Sequence, residues 1–341
     1  MLGRKNRFSS HPNQQGDHLK GGKMVIDIHT HFWGKNYIPR AFHMITAKTW
    51  ADEEPGRDPV KILPKIEEGL IDMDGKLFIE NMNRAGVDTA FIMTADFGIH
   101  WCGEDPATPL EDQFLNYAEI QKRYPGRLYA FAFVDPRRKG AVELFGRAIK
   151  EWGLKGCGEF TCKDISVADD ISQPMIRKCA DLGVPVLIHT RAGSGTGKTG
   201  LFTVENIAHP VHVETVLKKY PGLKVIISHV GYPVWWERAA QIASKYPNCY
   251  LDISNWHLDM GEPNSLIPKL ACMRDLVGAD HMCFGTDQNS GKRHCKENSI
   301  MSQWVGFLKK LPEKAKESGY QFTQEEINLI LGGAAQKLLN L

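Results

Sequence analysis

Residues 24–31 are Met-Val-Ile-Asp-Ile-His-Thr-His, a short apolar run that ends in two histidines. Runs of this length, rich in Val and Ile, are typical of buried parallel strands. Side chains two positions apart on a strand share one face, so His29 and His31 can coordinate the same cation. The run therefore predicts a buried strand that carries a polar site at its carboxyl end.

Seven further apolar runs follow, separated by amphipathic stretches that predict helices. The runs are 87–94, 127–134, 154–160, 184–189, 223–229, 249–254 and 282–287. The predicted helices span 76–85, 111–124, 141–152, 173–182, 211–220, 235–246 and, at the end of the chain, 324–341. Strands that alternate with helices predict an α/β fold, here a (β/α)8 TIM barrel. A doubly wound open sheet is the alternative, and the lack of a Gly-rich dinucleotide fingerprint disfavours it.

We expect one domain over residues 24–341, with a long loop insertion at about 34–75. Residues 1–23 hold five basic residues and one acid in a polar, Gly-containing context, which predicts a disordered basic leader or tag. The rest of the chain has no basic surplus, so nucleic acid is not expected as a partner. No apolar run reaches 18 residues, so no membrane partner is expected either.

The eight cysteines include no CxxC pair, which favours reduced thiols and a cytoplasmic protein. A homodimer or higher homo-oligomer is left open.

Polar residues end several of the predicted strands. Glu159 ends the fourth, His189 the fifth, His229 the sixth and Asp287 the eighth. The carboxyl ends of barrel strands converge on one rim, so these side chains should meet His29 and His31 there. A buried group of four histidines and two carboxylates requires neutralisation, and a divalent metal supplies it. Imidazole and carboxylate suit Zn, Mn, Fe, Co or Ni.

Six stretches carry a resemblance to a known family. They are IDIHTHFWG (26–34), PVLIHT (185–190), KVIISHVG (224–231), CYLDISN (249–255), CFGTDQ (283–288) and ILGGAAQKLLNL (330–341). The chain resembles the amidohydrolase superfamily of metal-dependent TIM barrels over residues 24–341. It is most similar to the amidohydrolase-related branch that contains aminocarboxymuconate semialdehyde decarboxylase and the resorcylate decarboxylases.

The resemblance implies that His29, His31, His189 and Asp287 are metal ligands. It implies that His229 is either a ligand of a second metal or a catalytic hydrogen-bonding residue. Glu159 departs from the decarboxylase pattern and resembles the bridging glutamate of two-metal hydrolases. The residues Gln288 and Asn289 replace a Tyr-Pro pair that is frequent in the branch. We therefore expect one or two divalent ions, with zinc as the first choice.

The first expected function is a metal-dependent hydrolase that attacks a C–N, C–O or lactone bond of a small aromatic or carboxylated substrate. A metal lowers the pKa of the water that it binds, and Asp287 would accept the proton while His229 polarises the carbonyl or holds a second metal. The alternative is a nonoxidative decarboxylase (a lyase) of an aromatic or unsaturated acid. Glu159 discriminates between them, because a role in the metal site favours hydrolysis.

Four residues near the strand ends are expected to contact the small-molecule substrate. Trp33 follows the histidine pair directly, and aromatic side chains there can wall a pocket. Arg191, two residues beyond His189, is a candidate anchor for a carboxylate. Tyr232 and His257 follow the sixth and seventh strands and complete the set.

Overall fold

Eight short parallel strands form the centre of the computed structural model, which describes residues 24–53, 56–193 and 206–341. The predicted leader at 1–23 lies outside the described residues. Each strand overlaps a run predicted from the sequence. They are β1 (Ile26–His31), β2 (Thr89–Met93), β3 (Leu128–Phe131), β4 (Cys157–Phe160), β5 (Val186–Arg191), β6 (Val225–Tyr232), β7 (Cys249–Asp252) and β8 (Met282–Cys283).

Backbone hydrogen bonds close these strands into a barrel. The ladders give two runs of neighbours, one of β3, β2 and β1 and one from β4 to β8. A bridge between Ala132 and Cys157 joins β3 to β4. Ile28 N donates to Phe284 O at 3.1 Å, which joins β1 to the segment after β8. A short strand, β9 (Gln288–Asn289), pairs with the end of β1. The predicted (β/α)8 barrel is therefore confirmed.

Helices surround the barrel. They are α1 (Arg40–Glu53), α2 (Pro59–Gly69), α3 (Lys76–Ala85), α4 (Ile99–Cys102), α5 (Leu110–Arg123), α6 (Ala141–Lys150), α7 (Gln173–Leu182), α8 (Val211–Lys219), α9 (Trp236–Ala243), α10 (Pro263–Val277), α11 (Ile300–Lys309), α12 (Leu311–Glu317), α13 (Gln324–Asn328) and α14 (Ala334–Leu339). The helices α3 and α7 have the bounds predicted from their apolar spacing. A π-helical turn at Leu329–Gly333 joins α13 to α14, so the predicted last helix is interrupted.

The prediction of a long loop at about 34–75 is wrong, because this connection contains α1 and α2. Asp58 caps α2 by accepting a hydrogen bond from Val60 N at 2.9 Å, and Pro59 follows at the first helical position. The two helices bury a small separate core of Ala47, Leu63 and Ile66. We refer to α1 and α2 together as the helical hairpin.

Two apolar layers hold the barrel. The larger lies between the strands and the surrounding helices, and the smaller fills the barrel interior. Ala334, Ala335 and Leu338 of α14 pack against the interior layer, and Lys224 Nζ, just before β6, donates to Leu338 O at 2.5 Å. The helix α14 therefore closes the end of the barrel where the strands begin, which leaves the opposite end for the site.

None of the eight cysteines forms a disulfide. Within the described ranges, no helix has the length and apolar character that crossing a bilayer requires.

Candidate metal centre and active site

The six predicted ligands come together at the carboxyl ends of the strands. The donors are His29 and His31 on β1, Glu159 on β4, His189 on β5, His229 on β6 and Asp287 after β8. Five are buried or nearly so, and the side chain of Asp287 is 24% exposed. This set of predicted ligands is called the metal-ligand cluster below. Its formation follows from the parallel barrel, which aligns strand ends that are far apart in the chain.

Glu159 lies at the centre of the cluster, with one oxygen toward each side. Its Oε1 is 2.6 Å from His189 Nδ1 and 3.2 Å from His229 Nε2. Its Oε2 is 3.5 Å from His31 Nε2 and 3.8 Å from His29 Nε2. Each carboxylate oxygen therefore faces its own pair of histidines, which is the arrangement of a carboxylate that can bridge two cations.

Asp287 also faces the β1 histidines. Its Oδ1 is 3.1 Å from His31 Nε2 and 3.6 Å from His29 Nε2. Its Oδ2 accepts a hydrogen bond from Asn255 Nδ2 at 3.2 Å. Asp287 is the more exposed of the two cluster carboxylates, because the side chain of Glu159 is only 6% exposed.

The donor set fits a divalent metal. Ligand atoms of His29, His31 and Glu159 lie within 4.8 Å of one another, and so do those of Glu159, His189 and His229. Neutral imidazole nitrogens with carboxylate oxygens are suitable for zinc and for the other first-row divalent ions. The two trios share Glu159, so the residues present can hold one ion or two.

Charges in the metal-free cluster shift the histidines of β1 toward their protonated forms. Burial opposes the charge on His29, but Asp252 and Glu159 outweigh it and raise the pKa to about 10. Burial likewise opposes the charge on His31, whose hydrogen bonds with Asp287 and Glu159 raise the pKa to about 9. Protons on these rings therefore occupy the place of a cation, which must displace them.

Burial and neighbouring charges also shift the pKa values of Glu159, Asp287 and His229. Burial would raise the pKa of Glu159, but His189 and His29 hold it well below its usual range. The pKa of Asp287 is also lowered, because the hydrogen bond with His31 and the nearby histidines outweigh burial. Burial lowers the pKa of His229. Both carboxylates therefore remain ionised and available as ligands at neutral pH.

A second set of polar residues, which was not predicted from the sequence, lies behind the cluster. Asp252 Oδ2 lies 2.7 Å from His29 Nδ1, which leaves His29 Nε2 to face the cluster. Ser254 Oγ lies 2.8 Å from His229 Nδ1, and Asn255 Nδ2 lies 2.9 Å from the same nitrogen. Ser228 Oγ donates to Glu159 Oε1 at 3.3 Å. Three of these four residues belong to the stretch CYLDISN, so a signal was present in the sequence.

The backbone at three residues of the site has φ angles in the left-handed region. The φ angles are 58° at His229, 66° at Asn255 and 58° at Asp287. Non-glycine residues seldom adopt this region, and they do so mainly at sites whose surroundings enforce it. The strand ends therefore turn sharply where the site side chains must be directed inward.

A cavity of about 350 Å³ opens directly above the cluster. His31, Glu159, His189, His229 and Asp287 form part of its lining. Five aromatic side chains contribute to the wall: Trp33, Phe42, Trp50, Phe97 and Trp101. Of these, Trp33 stacks on the His31 ring at 5.6 Å between centroids. The cavity thus brings an apolar, flat-walled space against the metal-ligand cluster.

Trp33 is the predicted substrate residue that lines this cavity; the other three do not. Arg191 lies with its guanidinium 5.6 Å above the Tyr232 ring. The Tyr232 hydroxyl donates to Asp259 at 2.8 Å. His257 is buried beside Trp304, with 6.5 Å between ring centroids. A substrate role for these three residues stays a prediction.

A second cavity of about 560 Å³ adjoins the first along Trp33 and His43 and contains none of the six ligands.

Several known structures are similar to this chain in fold. The 5-carboxyvanillate decarboxylase of Sphingomonas paucimobilis is similar in structure, with a TM-score of 0.67 at 15% identity over 94% of this chain and 100% of that chain. A 2,6-dihydroxybenzoate decarboxylase has a TM-score of 0.59 at 17% identity over 94% of this chain and 100% of that chain.

The probable 2-pyrone-4,6-dicarboxylic acid hydrolase of Acinetobacter baumannii has a TM-score of 0.60 at 13% identity, over 93% of this chain and 99% of that chain. At such identities the likeness establishes the fold alone. No protein of curated function matches the sequence. The Amidohydrolase family model matches residues 26–341, and the chain therefore belongs to the amidohydrolase family.

Proposed function

We propose that the protein is a metal-dependent, nonoxidative decarboxylase of an aromatic carboxylic acid. The observation that carries the proposal is the aromatic-walled cavity that opens onto the metal-ligand cluster. Flat aromatic walls favour an aromatic ligand, and a metal centre at the floor favours a carboxylate. Two of the similar structures are, by name, decarboxylases of aromatic acids. A related decarboxylase from Novosphingobium aromaticivorans contains manganese and a nitrobenzoic acid derivative.

The sequence alone favours hydrolysis, whereas the structural likenesses favour the alternative, decarboxylation. Decarboxylation breaks the bond between the ring carbon and the carboxylate, releases carbon dioxide and leaves a carbon that must take up one proton. A bound divalent cation would hold the substrate's oxygens and withdraw negative charge from them. The aromatic wall would orient the ring, and Asp287 is the acid–base candidate because it is the more exposed cluster carboxylate.

Hydrolysis remains the second candidate, and the position of Glu159 favours it. Each of its oxygens faces a separate pair of histidines, as expected for a carboxylate between two metals. In that reaction Asp287 would accept the proton of the attacking water, and His229 would act on the carbonyl or hold the second ion. The similar lactone hydrolase belongs to the same fold.

The proposed metal is zinc, with manganese, iron, cobalt or nickel as alternatives, at one or two ions per chain. The proposed partner is a small aromatic acid, and a homo-oligomer in the cytoplasm stays a prediction. Elemental analysis of the purified protein gives the number of ions directly.

Isotope labels distinguish decarboxylation from hydrolysis. We expect metal-loaded protein in heavy water to release one carbon dioxide per aromatic product and to place one deuterium on the vacated ring carbon. Product formation without carbon dioxide, but with ¹⁸O incorporated from labelled water, would overturn decarboxylation in favour of hydrolysis.

Glu159→Gln separates the one-metal and two-metal forms. A bridging role predicts a fall from two ions per chain toward one, with loss of hydrolysis. A one-metal decarboxylase should keep one ion. Asp135→Asn is the matched control, because Asp135 is buried beyond β3 and pairs with Arg137 at 2.6 Å outside the cluster. Its metal content should match the wild type.

A further inference from the structure

Arg293 is a cation at the mouth of the cavity above the metal-ligand cluster. It lines that cavity, and its guanidinium carbon lies 3.8 Å from the centroid of the Trp50 ring. Among the described residues, no carboxylate forms an ion pair with it. The other fully charged side chains of the lining, Glu159 and Asp287, belong to the cluster. Arg293 is therefore a positive group that faces a ligand space without a counter-ion from the described part of the chain.

The helical hairpin fixes the direction of this side chain. The backbone N of Arg293 donates to Gly69 O at 3.1 Å, at the end of α2. A Cβ added to Gly69 would lie 3.1 Å from Arg293 Cβ and 3.3 Å from its Cδ, so the arginine stem lies directly on the glycine. Trp50 of α1 supports the guanidinium from below. The side chain is thus directed by packing, although it is exposed to solvent.

The polar neighbours of Arg293 in the cavity are uncharged. Burial lowers the pKa of His43 to about 4, and burial together with Arg293 lowers the pKa of His294 to about 4. Both imidazoles line the same cavity and are neutral at pH 7. Outside the metal-ligand cluster, Arg293 is therefore the one cation that the described lining presents to a ligand.

We propose that Arg293 binds a second anionic group of the substrate. The substrate is then an aromatic acid with two negative groups, one held at the metal centre and one by Arg293 at the cavity mouth. Arginine suits this role because its planar guanidinium donates two parallel hydrogen bonds to a carboxylate. This inference rests on the proposed function for the place of the first carboxylate, and it adds the class of substrate.

Inert aromatic acids test the subsite without turnover. Benzoate carries one carboxylate, and benzene-1,3- and benzene-1,4-dicarboxylate carry two. We expect calorimetric titration of zinc-loaded protein to show at least one dicarboxylate binding roughly tenfold more tightly than benzoate, the scale of a hydrogen bond to a charged group. Arg293→Gln should remove this preference and leave the affinity for benzoate unchanged.

Two further variants sharpen the test. Lys292→Gln removes the same charge one residue earlier, at an exposed position outside the cavity lining, and should keep the preference. Gly69→Ala keeps the charge but crowds the arginine stem, and should reduce the preference. Thermal melting of each variant establishes that it is folded.

Three outcomes would overturn the subsite: no preference for either dicarboxylate in the wild type, an unchanged preference in Arg293→Gln, or an equal loss for benzoate and dicarboxylate. An Arg293-dependent preference in a protein that releases no carbon dioxide from any aromatic acid would instead overturn the proposed decarboxylation and leave the subsite intact.

Discussion

At the scale of single residues, Asp252 determines which ring nitrogen of His29 faces the candidate metal site. Asp252 Oδ2 accepts a hydrogen bond from His29 Nδ1 at 2.7 Å, so the opposite nitrogen of the ring faces the cluster. Both side chains are fully buried, which leaves His29 no water to replace this partner. Partners behind a ligating histidine fix the tautomer and ring orientation.

We expect Asp252→Asn to weaken metal affinity about 10–100-fold, the range typical of such partners. Competition with a chromophoric chelator measures this loss. Asp259→Asn is the matched control, because Asp259 follows the same strand but accepts from Tyr232 rather than from the cluster. Equal affinities in Asp252→Asn and wild type would contradict a role for Asp252 in orienting His29.

The same residue illustrates what a single sequence can predict at this scale. His29, His31 and Glu159 end apolar runs, so their convergence follows from the barrel alone. Asp252 also ends a run, but its role depends on contact with a residue 223 positions earlier in the chain. Nothing in the spacing of the sequence specifies which strand-end carboxylate lies behind which histidine.

At the scale of elements, the π-helical turn between α13 and α14 determines how the chain end packs on β1. A Cβ on Gly332 would collide with the backbone oxygen of Met24, just before β1. We expect Gly332→Ala to lower the free energy of unfolding by about 1–3 kcal/mol, because the backbone must shift to admit a methyl group. Denaturant unfolding measures the change.

Gly306 provides the control for that substitution. It lies within α11, and an added Cβ would meet nothing within 4 Å. Gly306→Ala should therefore leave the free energy of unfolding unchanged or raise it by up to about 1 kcal/mol, since alanine has a higher helix propensity than glycine. A similar decrease in the free energy of unfolding in both variants would show that the contact with Met24 does not cause the destabilisation.

Elements were predictable to different degrees for physical reasons. The helices α3 and α7 are followed directly by Gly86 and Gly183, both with positive φ, and such glycines mark helix ends clearly in the sequence. The helical hairpin escaped prediction because Pro64 lies inside α2 and its core has only three buried residues. Because Phe42 and Trp50 lie on α1, the part of the cavity wall that they form was not predicted either, unlike Trp33.

At the scale of the whole molecule, the barrel itself was the most predictable feature. Eight apolar runs require burial on both faces, and alternation with helices leaves few ways to achieve it. Closure of the barrel places His29 and Asp287 side by side, although they lie far apart in the sequence. Arg191 and Tyr232 end β5 and β6 beyond a shift in the register of that ladder, and His257 follows β7, so strand spacing does not specify where these side chains lie.

Metal removal should make the stability of the whole barrel depend on pH. In the metal-free protein, neighbouring carboxylates outweigh burial and raise the pKa of His29 to about 10 and that of His31 to about 9, from an ordinary value of 6.5. Since the folded pKa values exceed the unfolded ones, both groups stabilise the fold fully below pH 6.5. That stabilisation is lost as the pH rises through about 9 and 10.

A bound cation occupies the same ring nitrogens and leaves no proton to lose, so the metal-loaded protein should show little of this dependence. We expect the difference in melting temperature between metal-loaded and metal-free protein to increase between about pH 7 and about pH 10, because metal binds the folded state and competes with protons there. Calorimetric melting with and without a chelator measures it. A difference that stays constant over this range would mean that His29 and His31 do not exchange protons for the metal.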